Sequence, residues 1–454
     1  MPFELTKAFL DALRDAISEG RDRFIQAACE ELHPADIAEI FDELRASEAS
    51  YVFKLLENEV AAEVMIELNS DDRQRLLSTL TSKEIAEQVI DLIDSDDAAD
   101  VLSELSDKKK AEVISMISDE EQKTDIRDLL RYDEDSAGGL MATELVSVRS
   151  SWSIARGIRE MRKQAEGIDN VYTIYVVDED DKLVGVLPLK KILFSSSSIK
   201  TKISEIFDDE ALHYVHPETP GEECSKIMEK YDLVVLPVVD HDFTLLGRIT
   251  IDDVVDFIKE EAERDYQLAS GISESVEADD TVWRLTRARL PWLLIGLLGG
   301  VLVAQVIGIF EVQLAEVAAL MLFVPLIAAM GGNVGVQSSA IVVQGLANKS
   351  FSSSGIWQKL LKELGVALLN GVVCGAVILL YGMLFLNSFP LSYTVSVSLV
   401  AVIVIASLFG TLVPLMLDKL KIDPALATGP FITTMNDIIG LTVYFMFAKL
   451  FFGI

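Results

Sequence analysis

The sequence predicts a multi-domain membrane protein. Its parts are an all-α superhelical N-domain (1–131), two tandem α/β modules (132–199 and 200–263), a connecting helix (264–288) and an all-α transmembrane domain of five helices (289–454). Three observations carry this reading. Apolar residues recur about every 12 positions near the N-terminus, two strand–turn–strand segments repeat with an offset of 62, and five long apolar stretches follow Trp283.

The period comes first. Leu68-Asn, Leu80-Thr, Ile93-Asp, Leu105-Ser and Ile117-Ser recur at steps of 12, 13, 12 and 12. Each pairs an apolar residue with a helix-capping type, so the segment reads as short helices that are stable only when stacked. Asp94, Asp96, Asp97 and Asp100 crowd one helix start, where the helix dipole already favours negative charge. The local dipole accounts for that crowding without a bound ion, and nothing catalytic stands out.

Next, Tyr172-Thr-Ile-Tyr-Val-Val-Asp178 with Leu183-Val-Gly-Val matches Val234-Val-Leu-Pro-Val-Val-Asp240 with Leu245-Leu-Gly-Arg. Each half reads as strand, polar turn, strand and helix, and the pair resembles tandem CBS modules, which imply sensing rather than catalysis. Asp252, Asp253, Asp256, Glu260, Glu261, Glu263 and Asp265 follow on more than one helix face. A single-helix ion site is therefore not expected. Between apposed surfaces, however, such charges repel unless a cation lies among them. The mostly polar segment to Ala288 is placed to transmit movement to the membrane half.

Charge divides the chain in two. Trp283–Ile454 holds nine Lys/Arg and six Asp/Glu, a balance of +3, whereas the preceding part carries −36 of the total −33. That acidity excludes nucleic acid as the main partner and favours cations. Three separated cysteines and four histidines lack the spacing of a disulfide framework or a zinc site. The charged, amphipathic N-terminus is not a signal peptide. No nucleophile–base arrangement or phosphate loop suggests an enzyme.

The apolar stretches are expected at Pro291–Phe310, Val317–Gln344, Leu364–Leu386, Tyr393–Leu417 and Pro424–Phe452. Each has the roughly 20 residues needed to span a bilayer. Arg284, Arg287, Arg289, Lys349, Lys359, Lys362, Lys419 and Lys421 flank one side. Only Lys449 runs against that pattern, so the N-terminus is expected in the cytoplasm and the C-terminus outside. Five helices are few for enclosing a pore, and a symmetric dimer is the natural expectation.

Two polar runs interrupt the spans. In the second, Gly331 and Gly335 suit close helix packing, while Asn333, Gln337, Ser338 and Ser339 could bond the waters of an ion. In the fifth, Thr433, Thr434, Asn436 and Asp437 put a carboxylate where only a polar cavity or a structural hydrogen bond would make it tolerable. Asp423 lies 14 residues before Asp437. A continuous helix would align them on nearly one face, about 21 Å apart, with Thr433 and Thr434 between and a bend at Gly429-Pro430. Carboxylates, amides and hydroxyls suit hydrated Mg²⁺, which dehydrates reluctantly; spacing leaves Mn²⁺ and Co²⁺ open.

Gly331-Gly-Asn-Val-Gly-Val-Gln337 and Asp423-Pro-Ala-Leu with Asn436-Asp437-Ile-Ile-Gly440, set in this domain order, resemble the MgtE family of bacterial Mg²⁺ channels. The resemblance covers essentially the whole chain. It implies a homodimer in the bacterial inner membrane, lined by the second and fifth spans, with Asp437 holding hydrated Mg²⁺ and Asp423 at the cytoplasmic mouth. It also implies closure when cytosolic Mg²⁺ joins the acidic soluble domains. The matching regulatory residues are Glu63, Asp96, Asp100, Glu222, Asp232, Asp253, Asp256, Glu261 and Asp265. Arg264 replaces one acidic position. Some members bind ATP at the CBS pair, but Thr173, Leu233 and Lys190 replace the residues used there, so the resemblance gives ATP little support. The alternatives are transport of Mn²⁺ or Co²⁺, or a membrane-anchored CBS sensor that transports nothing.

Overall fold

The computed structural model describes residues 3–168, 170–194, 200–209, 212–274, 276, 280–311, 316–347, 356–386, 388–427 and 429–453. Lys349, used above for orientation, lies outside them. The chain divides into two compact units, Met1–Lys259 and Glu260–Ile454.

The first unit begins with ten short helices, from α1 (Lys7–Glu19) to α10 (Glu120–Leu129). The region of the 12-residue period holds α5 (Asn58–Glu67), α6 (Ser70–Thr79), α7 (Ser82–Gln88), α8 (Ser95–Ser103) and α9 (Asp107–Met116). Isolated helices of seven to ten residues are not stable in water, so packing must hold them. Alternate helices pack together: α5 on α7, α7 on α9, α8 on α10. The periodic Leu68, Leu80, Ile93 and Ile117 are buried in one continuous core, with Leu105 at its edge. Caps fix the starts. Thr81 Oγ1 accepts from the Glu84 amide at 3.2 Å, and Glu84 Oε2 accepts from the Thr81 amide at 2.7 Å. The helix ends are closed by later helices. Lys109 Nζ donates to the Leu77 and Leu80 carbonyls at 2.6 and 2.9 Å, and Gln122 Nε2 repeats this on Ile90 and Ile93 at 2.9 and 3.1 Å.

Two α/β modules follow. The first contains β1 (Ser147–Arg149), α11 (Ile154–Gln164), β2 (Tyr175–Val177), β3 (Leu183–Val186) and α12 (Leu189–Phe194). In the second are α13 (Gly221–Tyr231), β4 (Val235–Val239) and β5 (Leu245–Thr250), after which comes α14 (Ile251–Ala269). Strand β2 pairs antiparallel with β3 and parallel with β1, while β4 pairs antiparallel with β5. The 62-residue offset reaches atomic detail. Asp178 Oδ1 accepts from the amides of Asp180 and Lys182 at 2.8 and 3.0 Å; Asp240 Oδ1 does the same with Asp242 and Thr244 at 2.8 Å each. The equivalent residues Asp181 and Phe243 both have positive φ. These turn bonds hold the Asp178 carboxyl below the usual carboxylate range, the Lys182 amide contributing most.

Among the described residues of the second unit, five helices are long and apolar enough to cross a membrane. They are α15 (Val282–Ile309), α16 (Val324–Ala347, preceded by a tight turn over Ala318–Phe323), α17 (Ile356–Phe385), α18 (Phe389–Lys419) and α19 (Pro430–Phe452). Helix α18 is the most enclosed; it packs on α16, α17 and α19, and α15 packs on α19. Small residues permit this closeness: Gly375 meets Val400 and Ser396, and a Cβ on Gly410 would come within 2.3 Å of the Gly335 carbonyl oxygen. Tyr444 Oη, buried, donates to the Leu320 carbonyl at 2.9 Å.

The segment 264–288, expected as one connecting helix, is divided. Helix α14 continues to Ala269, the described residues 270–274, 276 and 280 are not helical, and α15 begins at Val282. Gly271 turns the chain with a φ of +78° and faces Pro430, where a Cβ would lie 2.7 Å from Cγ. Ser273 Oγ donates to the Ala288 carbonyl at 2.9 Å, and Gln267 Nε2 to that of Val276 at 2.8 Å. Side-chain hydrogen bonds thus replace the helical ladder here.

Candidate functional site

The membrane unit has its central carboxylate on α19. Asp437 is half-buried, and among the described residues it has no hydrogen-bond or ion-pair partner. Helix α16 faces it with glycine. A Cβ on Gly332 would lie 4.0 Å from Asp437 Oδ1 and 3.4 Å from Thr433 Cγ2. Bare backbone therefore borders the carboxylate and leaves room on that side. One position on, Asn333 is exposed, and so is Gln337 one turn further along the same face. A carboxylate without a protein partner, beside a cleared helix face and two amides, can hold a hydrated cation through its waters.

The neighbouring expectations need correction. Asp423 and Asp437 do not share a helix face, because the chain between them is not one helix. Residues Pro424–Ala427 form a separate tight turn, Gly429 has a φ of +54°, and α19 begins at Pro430. Gly429-Pro430 starts the helix rather than bending it, since proline is accepted at the first helical position. Asp423 is exposed and accepts from the Ala425 amide at 2.8 Å. Thr433 and Thr434 also diverge. Thr433 faces Gly332, whereas Thr434 packs on α15, where its Cγ2 would meet a Cβ on Gly299 at 2.0 Å. Asn436 is 2% exposed and turned into the protein against Gly335, and its Nδ2 has no hydrogen-bond partner.

Sequence reasoning missed one membrane residue. Glu363 was placed just outside the third span, but α17 begins at Ile356 and includes it. Ser338 on α16 donates to Glu363 Oε1 at 2.7 Å, and Ser407 on α18 donates to the same oxygen.

In the soluble unit, α8 brings an acidic cluster against the second α/β module. Ligand oxygens of Asp94, Asp96 and Glu144 lie within 4.8 Å of one another. Glu144 holds the start of α8, accepting from the Ser95 amide at 3.2 Å and the Ser95 hydroxyl at 2.9 Å. Asp96 is 7% exposed. Burial, then the charges of Asp253 and Asp97, push its carboxyl well above the usual range. Asp97 is raised to about 7 by burial and by Asp253, Asp100 and Asp94, against the opposing pull of Arg73. Asp253 is also raised, mainly by burial, although Thr250 donates to it through both amide and hydroxyl. Arg248 approaches from the module side, its guanidinium 3.8 Å from Asp94 Oδ2. Carboxyl groups outnumber the arginines Arg248 and Arg73 beside them, and oxygen ligands of this kind suit a hard divalent cation.

The structure thus unites Asp96 with Asp253 and adds Asp94, Asp97 and Glu144. Glu144, in the linker before β1, gave no sequence signal beyond its charge. Of the other expected residues, Asp100 is near enough for its charge to raise Asp97. Glu63, Asp100, Glu222, Asp232 and Asp256 are exposed, and Asp265 is half-buried. Glu222 pairs with Lys226 at 2.6 Å, and Asp232 caps α13 in the left-handed conformation. Arg264, the departure noted above, pairs with Glu261 at 2.6 Å. Between the two modules is a narrow crevice with no space for a water-sized molecule, lined in part by Thr173, Tyr175, Val235 and Arg248. The Tyr175 hydroxyl and Arg248 Nε are buried without hydrogen-bond partners.

Comparison with known proteins agrees with this division. A divalent cation transporter model of the MgtE family matches residues 324–447, the MgtE intracellular N domain matches 32–135, and CBS domains match 137–198 and 203–260. The magnesium transporter MgtE of Thermus thermophilus is 34% identical over 443 residues, 97% of each chain. This chain belongs to the MgtE family. The Enterococcus faecalis magnesium transporter MgtE is 33% identical over 72% of this chain and 71% of its own. A solved cytosolic domain of the Mg²⁺ channel MgtE in complex with ATP is 34% identical, with a TM-score of 0.50, and covers 54% of this chain and 99% of its own. The soluble part of a magnesium transporter has the same TM-score at 25% identity, covering 56% of this chain and 99% of its own. In MgtE terms, the helical superhelix is the intracellular N domain, the α/β modules are the CBS pair, and α16 with most of α19 lies inside the transporter match.

Proposed function

We propose that this MgtE-family chain transports Mg²⁺ across the bacterial inner membrane as a homodimer, and that cytosolic Mg²⁺ closes it. The observation that carries the transport reading is Asp437, an intramembrane carboxylate without a partner among the described residues, beside the bare backbone of Gly332. Asn333 and Gln337 are exposed on the single chain, as side chains must be to line a path shared with a second copy. Thr433 adds a hydroxyl next to Asp437, and Asp423 supplies charge at the cytoplasmic mouth. Thr434 and Asn436 shape α19 from behind. The N-terminus is cytoplasmic and the C-terminus outside, following the basic flanks of the spans.

The acidic cluster supplies the sensor. Above neutral pH, Asp94, Asp96, Asp97, Glu144 and Asp253 cannot all be ionised at close range without cost: two full charges about 4 Å apart repel by about 4 kcal/mol at an effective dielectric near 20. Mg²⁺ would be held by these oxygens and would offset that repulsion, fixing the N domain to the second CBS module. Exposed Glu63, Asp100, Glu222, Asp232 and Asp256, with half-buried Glu261 and Asp265, are left for ions shared with the second subunit. The chain after α14 can pass the change on, because Gly271 abuts Pro430 and the Ala269 carbonyl oxygen would lie 2.4 Å from a Cβ on Gly429. Both contacts sit where the pore helix begins. The narrow crevice between the CBS modules is not proposed as an ATP site.

Competitive uptake into proteoliposomes tests the cargo. Mg²⁺ should outcompete Mn²⁺, Co²⁺ and Ca²⁺; preferred flux of Mn²⁺ or Co²⁺ would give the pore to another ion. No flux of any of them would leave a membrane-anchored CBS sensor.

A further inference from the structure

Glu363 is another carboxylate on the membrane helices, and the conduction path proposed above does not use it. It sits two turns into α17, a helix that packs mainly along α18. Its side chain reaches both neighbours at once. Ser338 of α16 and Ser407 of α18 donate to the same oxygen, Oε1, and the two hydroxyl oxygens are 3.0 Å apart. Both serines are enclosed, at 5% and 1% exposure. A carboxyl oxygen that accepts hydrogen bonds from two enclosed hydroxyls on two different helices ties those helices to its own.

The position of this triangle matters. Ser338 is next to Gln337 and six residues after Gly332, about 9 Å along the helix axis. Ser407 is three residues before Gly410, whose missing Cβ lets α18 touch the Gly335 carbonyl oxygen. The clamp therefore lies beside the α16–α18 crossing, on the helix that bears Asn333, Gln337 and the backbone facing Asp437. Rotating α16 by one residue toward Asn333 would replace the bare backbone of Gly332 with a side chain beside Asp437.

We infer that Glu363 is a positioning residue for ion selection: with Ser338 and Ser407 it fixes the rotation and depth of α16, and so the face presented to the ion at Asp437. It touches no ion itself. The inference rests on the pore reading above.

The experiment compares Mg²⁺ and Co²⁺ influx into proteoliposomes holding equal amounts of folded dimer. Glu363→Ala should lower Mg²⁺ influx by about tenfold, the scale of losing hydrogen bonds to a charged acceptor, and flatten the preference for Mg²⁺. Glu363→Gln keeps a carbonyl acceptor and should retain most of both flux and preference. The double variant Ser338→Ala/Ser407→Ala should lose preference as Glu363→Ala does, and it tests the clamp even if Glu363→Ala does not fold. Glu363→Gln as defective as Glu363→Ala, with a raised half-saturating Mg²⁺ concentration, would overturn the inference in favour of direct ion binding. Unchanged preference in the double variant would overturn it too. Asp437→Asn runs in parallel: if it conducts like the unaltered protein, the pore reading has failed, whatever Glu363 does.

Discussion

Two groups of carboxylates in this chain meet opposite problems. Asp437 is alone in an apolar helix, without a protein partner among the described residues, and bare glycine backbone faces it from α16. Asp96 is crowded, buried among Asp94, Asp97, Glu144 and Asp253 with Arg248 as the nearby counter-charge. Isolation suits a group that must hold an ion briefly and release it, since every additional ligand would deepen the well. Crowding suits a sensor, because repulsion among neighbours becomes cohesion once a divalent cation is present. One chemical group serves both tasks, and the number of its neighbours decides which.

The most severe break is at the lone carboxylate. Asp437→Ala is expected to abolish Mg²⁺ uptake in proteoliposomes, while size-exclusion chromatography still shows a folded dimer. Nothing else at that level replaces the charge, so a loss of 100-fold or more is expected, of order 3 kcal/mol in the barrier. Uptake within twofold of normal would remove Asp437 from the path.

Almost as damaging is crowding the isolated site from behind. Gly410→Ala would set a methyl 2.3 Å from the Gly335 carbonyl oxygen, a backbone atom that cannot swing aside. Overpacking of this kind costs about 1–3 kcal/mol. The expected result is a lower thermal midpoint in detergent together with reduced flux; an unchanged midpoint would show that α16 and α18 have slack.

In the crowded cluster, neutralising one member should have a double effect that a purely structural residue would not show. Asp96→Asn or Asp253→Asn removes repulsion without the ion and a ligand with it. Protease resistance of the soluble part should therefore rise slightly in EDTA, and the added protection from millimolar Mg²⁺ should fall. If Mg²⁺ protects the variants as fully as the unaltered protein, this cluster is not the sensor.

These contrasts were unequally legible in the sequence. Periodicity exposed the superhelix because each repeat buries its own Leu or Ile, and the 62-residue offset exposed the CBS pair down to the Asp178 and Asp240 turns. Asp437 was visible because charge inside an apolar run is rare. Helix-face arithmetic failed between Asp423 and Asp437, since it assumes continuous helix where Gly429 adopts positive φ. Glu144 was invisible for another reason. It acts on α8 from 49 residues away in sequence, and no local pattern records a tertiary contact. Glu363 was hidden by the nearby Lys359 and Lys362, which made the helix start look like a loop.

The gentlest way to sharpen the comparison is pH. Burial and neighbouring acids raise the Asp97 carboxyl to about 7 and lift Asp96 and Asp253 above their ordinary values. A carboxyl raised in the assembled cluster binds protons more tightly there than when the surfaces separate. The assembled form is therefore favoured as pH falls, and its penalty grows from about pH 4 until it is complete above about pH 7. Without divalent cations, lowering the pH from 8 to 6 should make the soluble part more resistant to protease, and the increment from Mg²⁺ should shrink over the same range. Protons and Mg²⁺ relieve the same repulsion, so their effects should not add. Additive protection would mean that the ion binds somewhere other than this cluster.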